Sequence, residues 1–330
     1  MPPTDRTSSA GPTHQTSSST RGSRRSSTRT RTRDKTRSSH RRRTLRREVP
    51  STVGLLADAG DFAAMCGYPS FTFDDHTDYP DYLHHVDGLL RTLAAQGIHT
   101  TVALFDPDQY TDYCAEHGLD PDTAATRARF TAELAGTGSG LPYAGRPVAE
   151  ILPLLVDEAV RQATWEYATA LLSQVGSCAD CGEDIGQASF ARAAEALKRL
   201  VAGAGPGRHH LVCSVPTEAE QLVAVLQAQS SADPADPPRF EGREGLDFVT
   251  VLAAGLALGG PGGLVLRSSA EGRQDRVHGW RLDRGRLTTL SAAAVFNAYC
   301  TDADTGEPVA PEPGVEYCPG YEVDDPGPHG

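Results

Sequence analysis

The chain has 330 residues, 38% of them hydrophobic, and a formal net charge of −12; that is long enough for one large or two modest domains. No run of about 18 apolar residues occurs, so a membrane-spanning helix is not expected. The charge is unevenly divided: residues 1–49 hold 14 Arg and Lys against 3 Asp and Glu, a surplus of +11, which leaves −23 for the remainder. So acidic a body repels phosphates and argues against broad nucleic-acid binding there, while the leader could bind phosphates or fold back on its own body.

Residues 1–49 are rich in Ser, Thr and Arg and contain no Ile, Phe, Tyr or Trp and one Leu, Leu45. Such a segment buries too little apolar surface to offset ordering, so a disordered basic leader is expected. The alternative is a chain that starts at Val49 or Val53, with the upstream segment not translated. No apolar stretch follows the Arg pairs Arg24-Arg25 and Arg41-Arg42-Arg43, so no secretory signal is read here. Seven cysteines, an odd number in a chain of this size, point to a reducing compartment and a cytoplasmic protein.

Thr52–Ala57 reads as a buried strand, Asp61–Met65 as a helical turn and Ser70–Phe73 as a second strand. Tyr79–Gln96 carries Tyr82, Val86, Leu89, Leu90 and Leu93 on one face at helical spacing and ends at Gly97. His99–Phe105 is a third strand. Asp106-Pro107 starts a helix with Asp as cap and Pro at the first position, and Asp120-Pro121 is expected to repeat that device for a helix to Ala135. After the glycine-rich Gly136–Arg146, helices are expected at Pro153–Val175 and Gln187–Ala202. Strands follow at His209–Val215 and Gln221–Gln227, then a polar insertion at Ser230–Pro238 and an apolar helix at Gly245–Leu258. Strands at Leu264–Arg267, Val277–Leu282 and Leu287–Leu290 precede a helix capped by Ser291 and running to Tyr299.

This order implies a mixed α/β (α+β) fold. Residues 50–135 form a three-strand parallel βαβαβ unit. Residues 136–300 form central helices and a largely antiparallel sheet packed on it, and 301–330 a Pro/Gly/acid-rich wrap or tail.

No phosphate-binding loop, nucleophile elbow or H-E-x-x-H helix is present, and Gly259-Gly260-Pro261-Gly262-Gly263 reads as a turn. Cys178-Ala179-Asp180-Cys181-Gly182 places two thiols two residues apart in a tight turn, half of a tetrahedral zinc site. His210 and Cys213 are the candidate second half, although in a regular strand they face opposite sides and could both ligate only if the segment bends. His209, Cys300 or Cys318 are alternatives, as are free thiols or a redox pair.

Asp58, Asp74 and Asp106 end the three expected parallel strands, where open α/β sheets bind ligands. With Asp75 they could hold Mg²⁺ or Mn²⁺ for phosphoester hydrolysis. Leu55-Leu56-Ala57-Asp58 resembles the first strand of PIN-like and NYN-like nucleases, which also ends in Asp; helix capping explains the same residues. Asp74-Asp75-His76 with Asp78, Asp81, His84 and His85 is a third cluster, against which stands the solvent-facing position of His84. Trp165, Glu166 and Trp280 read as core or rim packing. The expected function is therefore a non-catalytic regulatory or interaction protein stapled by a structural zinc knuckle, with a protein partner or oligomer. The alternative is a metal-dependent phosphoesterase or nuclease using Asp58, Asp74 and Asp106.

Overall fold

A computed structural model describes residues 51–73, 77–136, 140–233, 236–240, 242–302 and 305–323. The leader, and Asp74, Asp75 and His76, lie outside the described residues. The fold is mixed α/β, with eight helices and ten strands among the described residues. None of those helices is long and apolar enough to cross a membrane.

The first sheet has three strands. β1 (Ser51–Leu55) and β2 (Thr100–Leu104) run parallel, from Ser51 opposite Thr100 to Leu55 opposite Leu104. The crossover between them holds α1 (Ala59–Cys66) and α2 (Tyr79–Ala95). Helix α2 forms as its stripe predicts: Asp78 caps it by accepting from the Asp81 N–H, and Tyr82, Val86 and Leu90 are buried. Leu89 is an exception to the expected face and stands exposed.

Three expectations fail here for physical reasons. Ser70–Phe73 is not a strand. Side chains satisfy its polar groups instead: Ser70 N–H donates to Asp122 Oδ1 at 2.8 Å, and Arg127 donates to the Ser70 hydroxyl and carbonyl, both at 2.9 Å. Phe71 and Phe73 turn inward to pack edge-on against Phe62. The third strand is instead β3 (Leu141–Pro142), antiparallel to β2 on its far edge, so the sheet is mixed rather than wholly parallel. Asp106 does cap α3 (Pro107–His117), but Asp120-Pro121 does not start the next helix. Asp120 closes a local turn by accepting from Asp122 N–H, and Thr123 receives the Thr126 N–H. Helix α4 accordingly begins at Ala124 and runs to Gly136.

Helix α5 (Val148–Gln174) has 27 residues, a length of about 40 Å, and ties two cores together. Its N-terminal part places Ile151 and Leu155 in the core of the first sheet, among Leu55, Tyr82 and Tyr110. Its C-terminal part buries Ala168 in a second core. That second core is built by α6 (Ile185–Ala204) and α7 (Glu244–Leu258) lying on a seven-stranded sheet.

The sheet's strands are β4 (Gly207–Pro216), β5 (Gln221–Ser230), β6 (Arg239–Phe240), β7 (Gly262–Ser269), β8 (Asp275–Asp283), β9 (Arg286–Thr289) and β10 (Val315–Cys318). They are ordered β10-β8-β7-β4-β5-β6, with β9 also on β8. All pairings are antiparallel except β10 with β8. Gly255 lets α7 lie directly on the strands: a Cβ there would collide with the Leu282 and Val215 side chains. Ser291 caps α8 (Ala292–Tyr299), as its sequence predicts. The C-terminal segment wraps the structure: β10 joins the sheet, and Tyr321 packs on the second core.

Candidate functional site: the open edge of strand β5

Strand β5 has two unlike edges. On one side it pairs with β4 along its whole length, from Gln221 opposite Pro216 to Ser230 opposite Gly207. On the other, β6 covers only Ala228 and Gln229. The Gln227 N–H leaves the sheet on that second side and donates to Glu244 Oε2 at 3.0 Å. Backbone direction alternates with a two-residue period in an antiparallel strand, so the amide and carbonyl groups of Val225 and Val223 face the same way. Among the described residues no strand pairs with them there.

This edge forms the floor of a groove of about 580 Å³, walled by α5 on one side and the N-terminal half of α7 on the other. Four large apolar side chains in it are exposed: Leu154 at 42%, Val160 at 59%, Val223 at 44% and Val225 at 43%. Exposed apolar residues scattered singly need no explanation, but here they gather in one concavity. The charged lining is mainly acidic: Asp157, Glu158, Glu244 and Asp247 against a single cation, Arg161, which is itself ion-paired to Glu158. Trp165 stands at the rim with the Arg243 guanidinium 5.4 Å from its ring centroid.

Asp247 is the unusual member. Its Oδ1 is buried with no hydrogen-bond partner among the described residues, and the Arg243 guanidinium reaches it only at ion-pair distance, 3.9 Å. Burial raises its carboxyl above the ordinary range, and the charges of Glu158 and Glu244 push the same way against Arg243 and Arg161.

The residues singled out from sequence fall elsewhere. Cys178 and Cys181 do form a tight knuckle: Cys178 N–H donates to Glu183 O at 2.8 Å, Gly182 N–H to Cys178 O at 2.9 Å, and Gly182 takes a left-handed φ of +75°. Strand β4 runs regularly, however, and puts Cys213 and His210 on opposite faces. Cys213 sits fully buried in the second core, while His210 is exposed. The bend that would bring both to the knuckle is absent from β4. Among the described residues no three His, Cys, Asp or Glu side chains converge where they could hold a metal ion. His209 is a satisfied core histidine, held by the Ser268 hydroxyl and the Gly205 carbonyl at 3.0 Å each. Cys300 is buried beside the Tyr317 hydroxyl, and Cys318 is half-buried in β10.

The surroundings of the thiols push their acidities in opposite directions. The backbone N–H groups of Cys181 and Asp180 lower the Cys178 thiol, with help from the Cys181 thiol. Burial pushes Cys213 up to about 12. Since the thiolate is the nucleophile, iodoacetamide at neutral pH is expected to label Cys178 ahead of Cys318, whose thiol burial also raises, and to leave Cys213 unlabelled until the chain unfolds. Peptide mapping by mass spectrometry checks this; native-state labelling of Cys213 would contradict its place in the sheet.

Of the acidic edge, Asp58 and Asp106 stand beyond the ends of β1 and β2, and the Asp61 carboxyl is raised first by burial and then by the charges of Asp58, Asp106 and Asp108. Each of the two end residues is already engaged: Asp58 Oδ1 accepts from Gly60 and Asp61 N–H, and Asp106 Oδ1 from Asp108 and Gln109 N–H. Of the third cluster, Asp78 is the cap of α2, Asp81 sits in its first turn, and His84 and His85 are exposed.

A family model described as a domain of unknown function (DUF8829) matches residues 40–146. That range takes in the first sheet and stops at the threshold of α5. No curated protein and no solved structure matches the chain.

Proposed function

We propose that this is a non-catalytic interaction protein that captures an extended polypeptide segment by strand addition at β5. The observation that carries the reading is the open backbone of Val223 and Val225 at the floor of an apolar, acid-rimmed groove. Proteins ordinarily block such edges with lysine, proline or a bulge, because an open edge templates pairing with other chains. Here the edge carries valines and lies in a concavity, the arrangement that strand-addition domains use: backbone hydrogen bonds supply affinity and flanking pockets select side chains. Apolar walls and four carboxylates favour a ligand alternating aliphatic and basic residues.

The test uses the full chain and a synthetic heptapeptide of alternating Val and Arg. Binding is expected to change Trp165 emission, Trp280 being 1% exposed and remote in the second core, and to slow amide exchange at Val223 and Val225. Val225→Pro discriminates. The N–H it removes faces away from β4, where a strand tolerates proline, so the β4 ladder survives while the incoming strand loses its partner. Peptide affinity is expected to fall by about tenfold, the worth of one hydrogen bond in a desolvated edge. A heptapeptide that leaves both Trp165 emission and Val223 and Val225 exchange unchanged at its highest soluble concentration overturns the reading.

A further inference from the structure

We infer that the groove's resident occupant is the chain's own basic segment Arg41–Arg47, docked in cis as an added strand on β5. The inference rests on the strand-addition reading and names its ligand.

Three observations converge on that segment. The first is charge. Arg41-Arg42-Arg43-Thr44-Leu45-Arg46-Arg47 holds five arginines and no acid, against a groove lined by four carboxylates, with Arg161 paired to Glu158 and Arg243 at the rim reaching Asp247. Guanidinium groups suit bidentate pairing with carboxylates. Within the segment Leu45 is the one aliphatic residue. In an extended strand it shares a face with Arg43 and Arg47, which gives one apolar contact for Leu154 or Val160, flanked on both sides by cations.

The second is reach. The described chain begins at Ser51, which pairs with Thr100. Thr100 O accepts from Tyr143 N–H at 2.8 Å on the other side. Ser51 is therefore two strand spacings, about 10 Å, from the backbone of Tyr143. Leu141, two residues before Tyr143, lines the groove. The four steps from Arg47 to Ser51 span up to about 14 Å when extended, enough to bring Arg47 to that end of the groove. From Arg47 back to Arg41 the segment then extends about 20 Å, which covers the α5 wall from Leu154 to Trp165, about 17 Å of helix.

The third is continuity with the matched domain. The family model starts at residue 40, so Arg41–Arg47 falls within the range matched together with β1, β2 and β3.

The experiment compares the full chain with a variant carrying serine at Arg41, Arg42, Arg43, Arg46 and Arg47, both at low micromolar concentration. Far-UV circular dichroism confirms that both are folded; the substitutions lie outside every described element. In the parent chain, Val223 and Val225 amides and the amides of residues 43–47 are expected to exchange slowly. In the variant all of these speed up by about tenfold, and the Val/Arg heptapeptide binds about tenfold more tightly, the relation for a groove that is nine-tenths self-occupied. Raising salt to about 0.5 M is expected to move the parent toward the variant, because the contact is made largely by charges near solvent. If parent and variant bind the heptapeptide equally and their β5 amides exchange alike, self-occupancy is overturned while strand addition stands. Protection that grows with protein concentration, with dimers in sedimentation, overturns the cis arrangement in favour of a second copy. If neither chain binds the heptapeptide, the strand-addition reading itself falls, and this inference with it.

Discussion

Replacing Trp280 with alanine is expected to lower the unfolding free energy by about 3–5 kcal/mol, the range for truncating a large aromatic in a packed core. Trp280 is 1% exposed on β8, and its indole N–H donates to the Tyr321 carbonyl at 2.9 Å. The two rings meet edge to face at 4.9 Å. Tyr321 in turn donates its hydroxyl to the Leu200 carbonyl on α6 and lies where a Cβ on Gly203 would collide with its ring. The C-terminal wrap is thus latched to the second core at two points, and the alanine variant removes one of them while opening a cavity. Urea unfolding followed by far-UV circular dichroism gives the energy, and amide exchange at Gly320 and Tyr321 reports the latch. Trp280→Phe separates the terms: it keeps most of the volume and strands the Tyr321 carbonyl, a loss of about 1–2 kcal/mol. An alanine variant as stable as the parent would mean that the wrap and β8 do not share a core. Heptapeptide binding is not expected to change, because β8 lies three strands from β5.

How far the sequence announced this architecture depended on whether the deciding interaction was local. Ser291, Asp106 and Asp78 cap helices that start where their side chains can reach the first free N–H groups, so those helices were legible. Asp120-Pro121 carried the same local signal and misled, because Asp122 is held by Ser70, 52 residues away, and Thr123 took over the cap. The aromatic run Ser70–Phe73 had strand-like composition, but its rings are used around Phe62; strand propensity reports a fit to a half-buried surface, not a ladder partner. β3 and β10 have two and four residues and exist only through partners remote in the chain.

The groove was illegible for a related reason. Alternation along Gln221–Ser230 is plain, and Val223 and Val225 fall on its outward face. Nothing local says that β5 lacks a neighbour there; sheet order decides it. Trp165 reads as core or rim packing; it stands at the groove's rim, under Arg243. The zinc reading paired a real local turn at Cys178 and Cys181 with residues that the register of β4 disperses.

Asp247→Asn is expected to stabilise the protein at neutral pH, because the amide removes a buried charge, and to weaken heptapeptide binding several-fold. The first half follows from linkage. Burial raises the Asp247 carboxyl in the folded chain, so the folded state holds that proton more tightly than the unfolded state, whose Asp titrates near 3.9. Below about pH 4 the acid is protonated in both states and imposes no penalty. As pH rises through the higher folded value, the unfolded chain ionises more readily and stability falls. Asparagine keeps the shape without the charge, so its advantage should be absent at pH 3 and grow as pH rises through the folded carboxyl's titration, measured by urea unfolding across the range. The second half explains why a carboxylate sits there at all. A strained charge at a site is commonly retained because a ligand, not the fold, satisfies it, and an arginine laid along β5 would give Asp247 Oδ1 the donor it lacks. A variant less stable than the parent at pH 7 would show that Arg243, at 3.9 Å, already satisfies the carboxylate; equal peptide affinity would show that the incoming strand does not.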